Sequence, residues 1–291
     1  MKESYLFRID LQYAHLLFKE DEGVNIGNCV KEVIIDSNDP RVPLIKEFNR
    51  MLWIERDTFF FYFWMIKRKY TNKELQDSSI LHLKIRKRLE MDGSEYGTIY
   101  DETAACPICG ANRIQMSALH LRKGNWMGKH DIAMTLAGDV IVSKKFKDFV
   151  NQNNLYGLSF MPLYTGNTLS EDYFQLSFTE ELTVSTQTRF GVDIFGNNHE
   201  IVNGVRVCSD TDPAKCPNGD NMGWNILSEI SVKEATVPSN VDFIVSKQTY
   251  GGKGGLFHPY HMFFCSKRAM QLMKENGIKG FDYEVVHLVD E

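Results

Sequence analysis

The chain has 291 residues, 43% of them hydrophobic and 12% aromatic, enough for one large core or two smaller ones. Its 33 basic against 38 acidic residues leave a formal net charge of −5, which argues against binding a nucleic-acid backbone as the main task, since that needs a basic face. Six cysteines are too sparse for a disulfide scaffold in a chain of this length, leaving metal ligation or inert burial.

Met1 to Phe18 mixes charged and apolar residues without an uninterrupted hydrophobic region, so no export signal is read there and a cytoplasmic protein is expected. Glu3 to Phe18 alternates aromatic or aliphatic with polar residues, as one or two strands of a mixed sheet do. Val33 to Ile35 reads as a short strand. Asn38-Asp39-Pro40 breaks the chain, and Val42 to Trp53 then carries Leu44, Ile45, Phe48 and Leu52 on one helical face. Phe59 to Ile66 (FFFYFWMI) is far short of the ~20 residues that span a bilayer and reads as a buried strand, so no membrane partner is expected. Asn72 to Met91, with Leu75, Ile80, Leu83 and Leu89 among many charged residues, reads as a helix or a helix after a turn. The basic runs Ile66 to Lys69 and Lys84 to Arg88 read as solvated faces.

The sharpest chemical signal is Ala105 to Gly110, ACPICG. Two cysteines two residues apart, with proline after the first and glycine after the second, form the turn of a zinc knuckle, in which both thiolates point at one metal. A thioredoxin-like redox pair is the competing use, but it normally caps a helix, and Ala111-Asn112-Arg113 fits a knuckle better. Tetrahedral zinc wants four ligands. The nearest second pair is Cys208 with Cys216, where Cys216-Pro217-Asn218-Gly219 resembles a knuckle turn that has lost its second cysteine. A single structural Zn2+ on Cys106, Cys109, Cys208 and Cys216 is therefore expected. His120 and His130 lie eleven and twenty-one positions after Cys109, a spacing unlike a two-Cys two-His finger, and are read as ordinary polar histidines. Cys29 and Cys265 are read as inert thiols.

Asp139 to Leu163 and His261 to Leu288 share a pattern. Val140-Ile141-Val142 and Met262-Phe263-Phe264 are strand-like and lead to Ser143 and Ser266, each placed as a helix N-cap. Phe146, Phe149 and Val150 in one copy, and Ala269, Met270 and Met273 in the other, form one-faced helical stripes. Gly157 and Gly280 both stand fourteen positions after the capping serine, with Phe160 and Tyr283 three further on. Two related strand-helix-strand modules are expected, preceded by Asp131 to Met134 in one case and Asp242 to Ser246 in the other.

Thr165 to Asp172 is turn-rich and reads as the join between an N-terminal half, residues 1–165, and a C-terminal half, 166–291. Tyr173 to Phe178 and Leu182 to Thr188 are strand-like. Asn203-Gly204 signals a hairpin, and Trp224 to Val232 leads into the second module. Gly251-Gly252-Lys253-Gly254-Gly255 lacks the Lys-Ser or Lys-Thr of a phosphate loop and reads as a surface loop. The fold class expected is α+β, mixed sheets with packed helices, two related modules and a zinc knuckle. No convincing nucleophile and base are seen. His258, His261 and His287 with Glu284 lie in or beside apolar strands and a loop and are read as structural, so the chain is not expected to be an enzyme.

The order of parts, with Cys106, Cys109 and Gly110 as the first motif, then DFIVSKQTYGG, FHPYHMFFCSK and GIKGFDYEVVHL, resembles the bacterial double-CXXCG motif family. The second motif departs from the family pattern, keeping Cys216 and Gly219 without the intervening cysteine. The family includes immunity proteins that protect a cell from toxins its kin deliver by contact. The resemblance implies a protein that binds and neutralises a cognate toxin, around a structural zinc site. The acidic balance suits a basic toxin, and nucleic acid is not expected as a partner; a zinc-knuckle nucleic-acid-associated protein is the alternative, with a hydrolytic enzyme behind it.

Overall fold

The computed structural model describes residues 1–209 and 215–291. The chain is mixed α+β and dominated by strands, and it divides into two compact units: Met1–Thr71 with Gly191–Pro213, and Asn72–Phe190 with Ala214–Glu291. The join read at 165/166 falls at the turn of a hairpin within the second unit, where Thr165 pairs with Thr168. Among the described residues no helix is long and apolar enough to cross a membrane.

In the first unit, β1 (Lys2–Asp10) is flanked by two antiparallel neighbours, β3 (Val30–Asp36) and β4 (Phe61–Lys69), with the short β2 (Val24–Ile26) outside β3. Phe7 and Ile9 point into the core while Arg8 stays exposed, the period of two expected of a half-buried strand. Helix α1 (Arg41–Arg56) covers that face with Ile45 and Leu52, and its buried Asn49 accepts a hydrogen bond from the Phe60 amide at 2.9 Å. The run read as a buried strand is an edge strand instead. Phe61 is buried, but Tyr62, Phe63 and Met65 are exposed, so its apolar composition reflects side chains on the outer face rather than cover on both. The Asn203-Gly204 hairpin forms as expected, joining Asn198–Val202 to Val205–Ser209.

The second unit holds two six-stranded sheets. One has the order β6 (Arg88–Leu89), β8 (Ile132–Thr135), β9 (Val140–Ser143), β11 (Thr168–Phe178), β10 (Leu158–Thr165), β7 (Leu119–Leu121). The other has the order β12 (Glu181–Leu182), β14 (Phe243–Tyr250), β15 (Tyr260–Ser266), β5 (Ile80–Ile85), β16 (Phe281–Val289), β13 (Ile230–Lys233). In both, the outermost pair at each edge is parallel and the inner strands are antiparallel. The Asn72 to Met91 stretch is not the expected helix. A short helix, Asn72–Asp77, ends before β5, which lies inside its sheet with Ile80, Leu81, His82 and Leu83 all buried. A strand covered on both faces loses its alternation, and Leu75, Ile80 and Leu83 then mimic a helical stripe.

Helices α2 (Lys144–Gln152) and α3 (Lys267–Glu275) follow β9 and β15 directly. Ser143 Oγ accepts from the Phe146 amide at 3.2 Å and Ser266 Oγ from the Ala269 amide at 3.0 Å, the caps expected of them. Each capping hydroxyl also donates to an aspartate at the start of its own sheet strand, Ser143 to Asp131 at 3.0 Å and Ser266 to Asp242 at 2.8 Å. The second oxygen of each aspartate then reaches the other segment: Asp131 accepts from the Lys279 amide at 2.8 Å, and Asp242 from the Tyr156 amide at 3.1 Å. Gly157 and Gly280 follow, at φ of 101° and 125°. A Cβ on Gly157 would lie 2.0 Å from the Phe243 carbonyl oxygen, and one on Gly280 2.8 Å from Ile132 Cγ2, so glycine is required at both.

Candidate metal centre

The Cys106 turn is built by its own backbone. The Gly110 amide donates to the Cys106 carbonyl and the Cys106 amide to the Ala111 carbonyl, both at 2.8 Å. Gly110 stands at φ 77°, and a Cβ there would come within 2.7 Å of Lys253 Cβ. The amides of Cys109 and Ile108 point at the Cys106 sulfur and pull its pKa down, as knuckle amides do for a thiolate. The Asn218 amide group approaches the same sulfur at 3.2 Å. On the opposite side, the Cys216 amide donates to the Asp220 carbonyl at 2.8 Å, closing a second turn, and the Asn218 backbone amide reaches Cys216 Sγ at 3.5 Å.

These turns bring Cys106, Cys109, Cys216 and Asp220 together, with their ligand atoms all within 4.8 Å of one another. Cys106 and Cys216 sulfurs are 3.6 Å apart, and Cys109 Sγ is 3.2 Å from Asp220 Oδ2. Cys109 and Cys216 are buried, Cys106 and Asp220 partly so. Burial, and then the nearby Asp220 carboxylate, push the Cys109 thiol pKa up, so two neighbouring thiols are held in opposite protonation preferences. A dication among them removes that conflict, because coordination deprotonates a thiol outright. A tetrahedral ion with sulfur ligands at about 2.3 Å needs ligand separations of about 3.8 Å, which matches the spread of this cluster. The buried group could hold a metal ion.

Cys106, Cys109 and Cys216, three of the four expected ligands, therefore stand together, with Asp220 as the fourth donor of the cluster. Cys208 lies in the first unit, on the hairpin strand Val205–Ser209 opposite His199. Asp220 carried a readable signal: it ends the Cys-Pro-Asn-Gly-Asp turn, one position past the place of a knuckle's second thiolate, but a search for cysteine alone passes over it. The histidines are elsewhere. His120 stacks on Tyr164 with ring centroids 4.6 Å apart, His261 Nδ1 is 2.6 Å from the Ser246 carbonyl, His287 pairs with Glu229 at 3.2 Å and His82 with Glu284 at 3.1 Å.

A buried ionic group backs the knuckle. Arg113 Nη1 lies 3.3 Å from Asp92 Oδ2 and 3.1 Å from His258 Nε2, and its guanidinium sits 3.7 Å over the Tyr100 ring. Burial opposes ionisation of Asp92, but hydrogen bonds from His258 and the Ser94 amide and the Arg113 charge outweigh it and hold its pKa well below the usual carboxylate range. The Tyr100 hydroxyl donates to Asp139 at 3.1 Å, and burial pushes the Asp139 pKa up. Glu102 ties this group to the knuckle surroundings through Lys253 at 2.8 Å.

No family model, curated protein or solved structure matches the chain.

Proposed function

We propose that the cluster holds one structural Zn2+, and that the chain is a stoichiometric binding protein, an immunity protein that neutralises a cognate toxin in the cytoplasm of the producing cell. The observation that carries the zinc assignment is saturation: four protein donors, three of them thiolates, converge within 4.8 Å. Catalytic zinc keeps a position for water, whereas a closed four-ligand set makes a structural site. Such an ion cross-links two turns more than a hundred residues apart in sequence, as Cys106 and Cys216 are, and stabilises the scaffold without doing chemistry.

The toxin-binding role rests on the resemblance of the Cys106 motif and the three C-terminal segments to the double-CXXCG family. The formal net charge of −5 suits a basic target, because complementary charge speeds encounter and favours the right partner. The reading also takes β9–α2–β10 and β15–α3–β16 as two related modules. It is supported by the matched caps, by the reciprocal contacts of Asp131 and Asp242, and by the equal positions of β9 and β15 in their sheets. The test is co-expression with the product of the adjacent gene. Rescue of growth together with a tight complex supports the role; a product that is not toxic, or toxicity unrelieved without any complex, overturns it.

A further inference from the structure

The acidity of the chain is an average, and one groove of the second unit departs from it sharply. Two adjoining concavities, of about 640 Å³ and 300 Å³, share Lys129 and His130 in their walls. The larger is also lined by Lys87, Arg88 and Arg122, with Glu90 its single carboxylate among the lining residues. The smaller adds Arg86, Lys274 and Lys279 and has no lining carboxylate. Arg86 is answered by Asp282, and Arg88 by the Tyr260 hydroxyl and ring. Among the described residues, Lys87, Arg122, Lys129 and Lys279 have no carboxylate within ion-pair distance, and the last three are solvent-exposed. Four such cations spread over the two adjoining concavities make a local positive potential that favours an anion there. Beside them the buried Nδ1 of His130 has no hydrogen-bond partner.

The groove also carries an aromatic ring in each part. Trp126 lines the larger concavity, fixed by its Nε1 donating to the Arg122 carbonyl at 2.9 Å and by a ring contact with Tyr173 at 4.7 Å, yet it stays partly exposed. Tyr283 lines the smaller one, with Lys274 Nζ 5.4 Å from its ring centroid. An acidic polypeptide would use the lysines but has no need of the rings. Cations that track a backbone, interleaved with rings on which bases stack, are what a single nucleic-acid strand requires. We propose that this groove binds single-stranded nucleic acid, with phosphates on Lys87, Arg122, Lys129 and Lys279 and bases against Trp126 and Tyr283. The proposal goes beyond toxin neutralisation and does not depend on it.

Fluorescence anisotropy of the full chain with labelled single-stranded DNA and RNA oligonucleotides tests it. Neutralising about four phosphates gives a log–log salt slope near −3, so affinity should fall roughly 50-fold between about 50 and 200 mM salt. The double variant Lys129→Glu/Lys279→Glu should weaken binding at least tenfold, Trp126→Ala about tenfold, and Lys67→Glu, outside the groove, not at all. Unchanged circular dichroism and melting temperature of the lysine variant establish that it folds. Failure of the oligonucleotides to bind at low salt overturns the proposal. So does displacement by polyglutamate at equal charge concentration with no loss in Trp126→Ala, which would assign the groove to an acidic polypeptide. Growth rescue by the toxin assay is read separately, so either result stands without the other.

Discussion

A carboxylate at position 220 completes the proposed zinc site that cysteine spacing alone would have completed with Cys208. The two choices make opposite predictions for single substitutions. Asp220→Ala and Cys216→Ser should each release zinc to a colorimetric chelator at concentrations that leave the parent chain loaded, because three donors hold the ion far less well than four. Cys208→Ser should leave metal content unchanged. The Asp92 carboxyl supplies a second residue-level prediction. Its folded pKa lies below the unfolded value of about 3.9, so the stability it contributes is present above about pH 4 and lost as pH falls through the folded value. Asp139 works in the opposite sense, since burial raises its pKa and favours the folded chain only while it is protonated. Asp92→Asn should therefore cost about 3 kcal/mol in urea unfolding at pH 7, because it leaves the buried Arg113 charge only the half-exposed Glu102, 3.6 Å away, and that deficit should shrink as the pH drops below about 4. A deficit independent of pH would rule out the ionised Asp92 as its source.

The helix caps were legible in the sequence because a cap is local chemistry: a serine after a strand-like run, a one-faced stripe, then glycine. Ser143→Ala and Ser266→Ala should each cost about 1 kcal/mol, and lower the melting temperature by about 2–4 °C for a unit of this size. Equal losses in the two variants are expected, since each hydroxyl accepts from a helix amide and donates to an aspartate in the same way. A loss in only one of them would argue against related modules. β5 was not legible, for a reason of range. Its neighbours β15 and β16 come from the far end of the chain, and the His82–Glu284 contact on it joins residues 202 positions apart. Nothing near Ile80 announces that both its faces will be covered. β4 failed in the reverse direction, since its aromatic run says nothing about which side solvent will reach. At the metal centre, the knuckle was legible from spacing, but the fourth donor depended on a turn that is closed by the Cys216–Asp220 backbone hydrogen bond.

For the whole molecule, net charge proved too coarse a guide to partners. The same chain carries a formal charge of −5 and a groove whose lysine and arginine lining residues face a single lining carboxylate, Glu90. The acidic average bears on the proposed basic toxin, while the groove bears on the proposed nucleic-acid strand, and the two proposals can be tested independently. Both would rest on a scaffold in which the proposed zinc cross-links the Cys106 and Cys216 turns. The central claim is thus that one ion sits on Cys106, Cys109, Cys216 and Asp220 and that folding of the second unit depends on it. Elemental analysis of protein purified without chelator, repeated on Asp220→Ala and Cys208→Ser, measures this directly. One zinc per chain in the parent and in Cys208→Ser, with substoichiometric zinc in Asp220→Ala, is the result predicted; a parent chain free of metal, or zinc lost from Cys208→Ser and kept by Asp220→Ala, would contradict it.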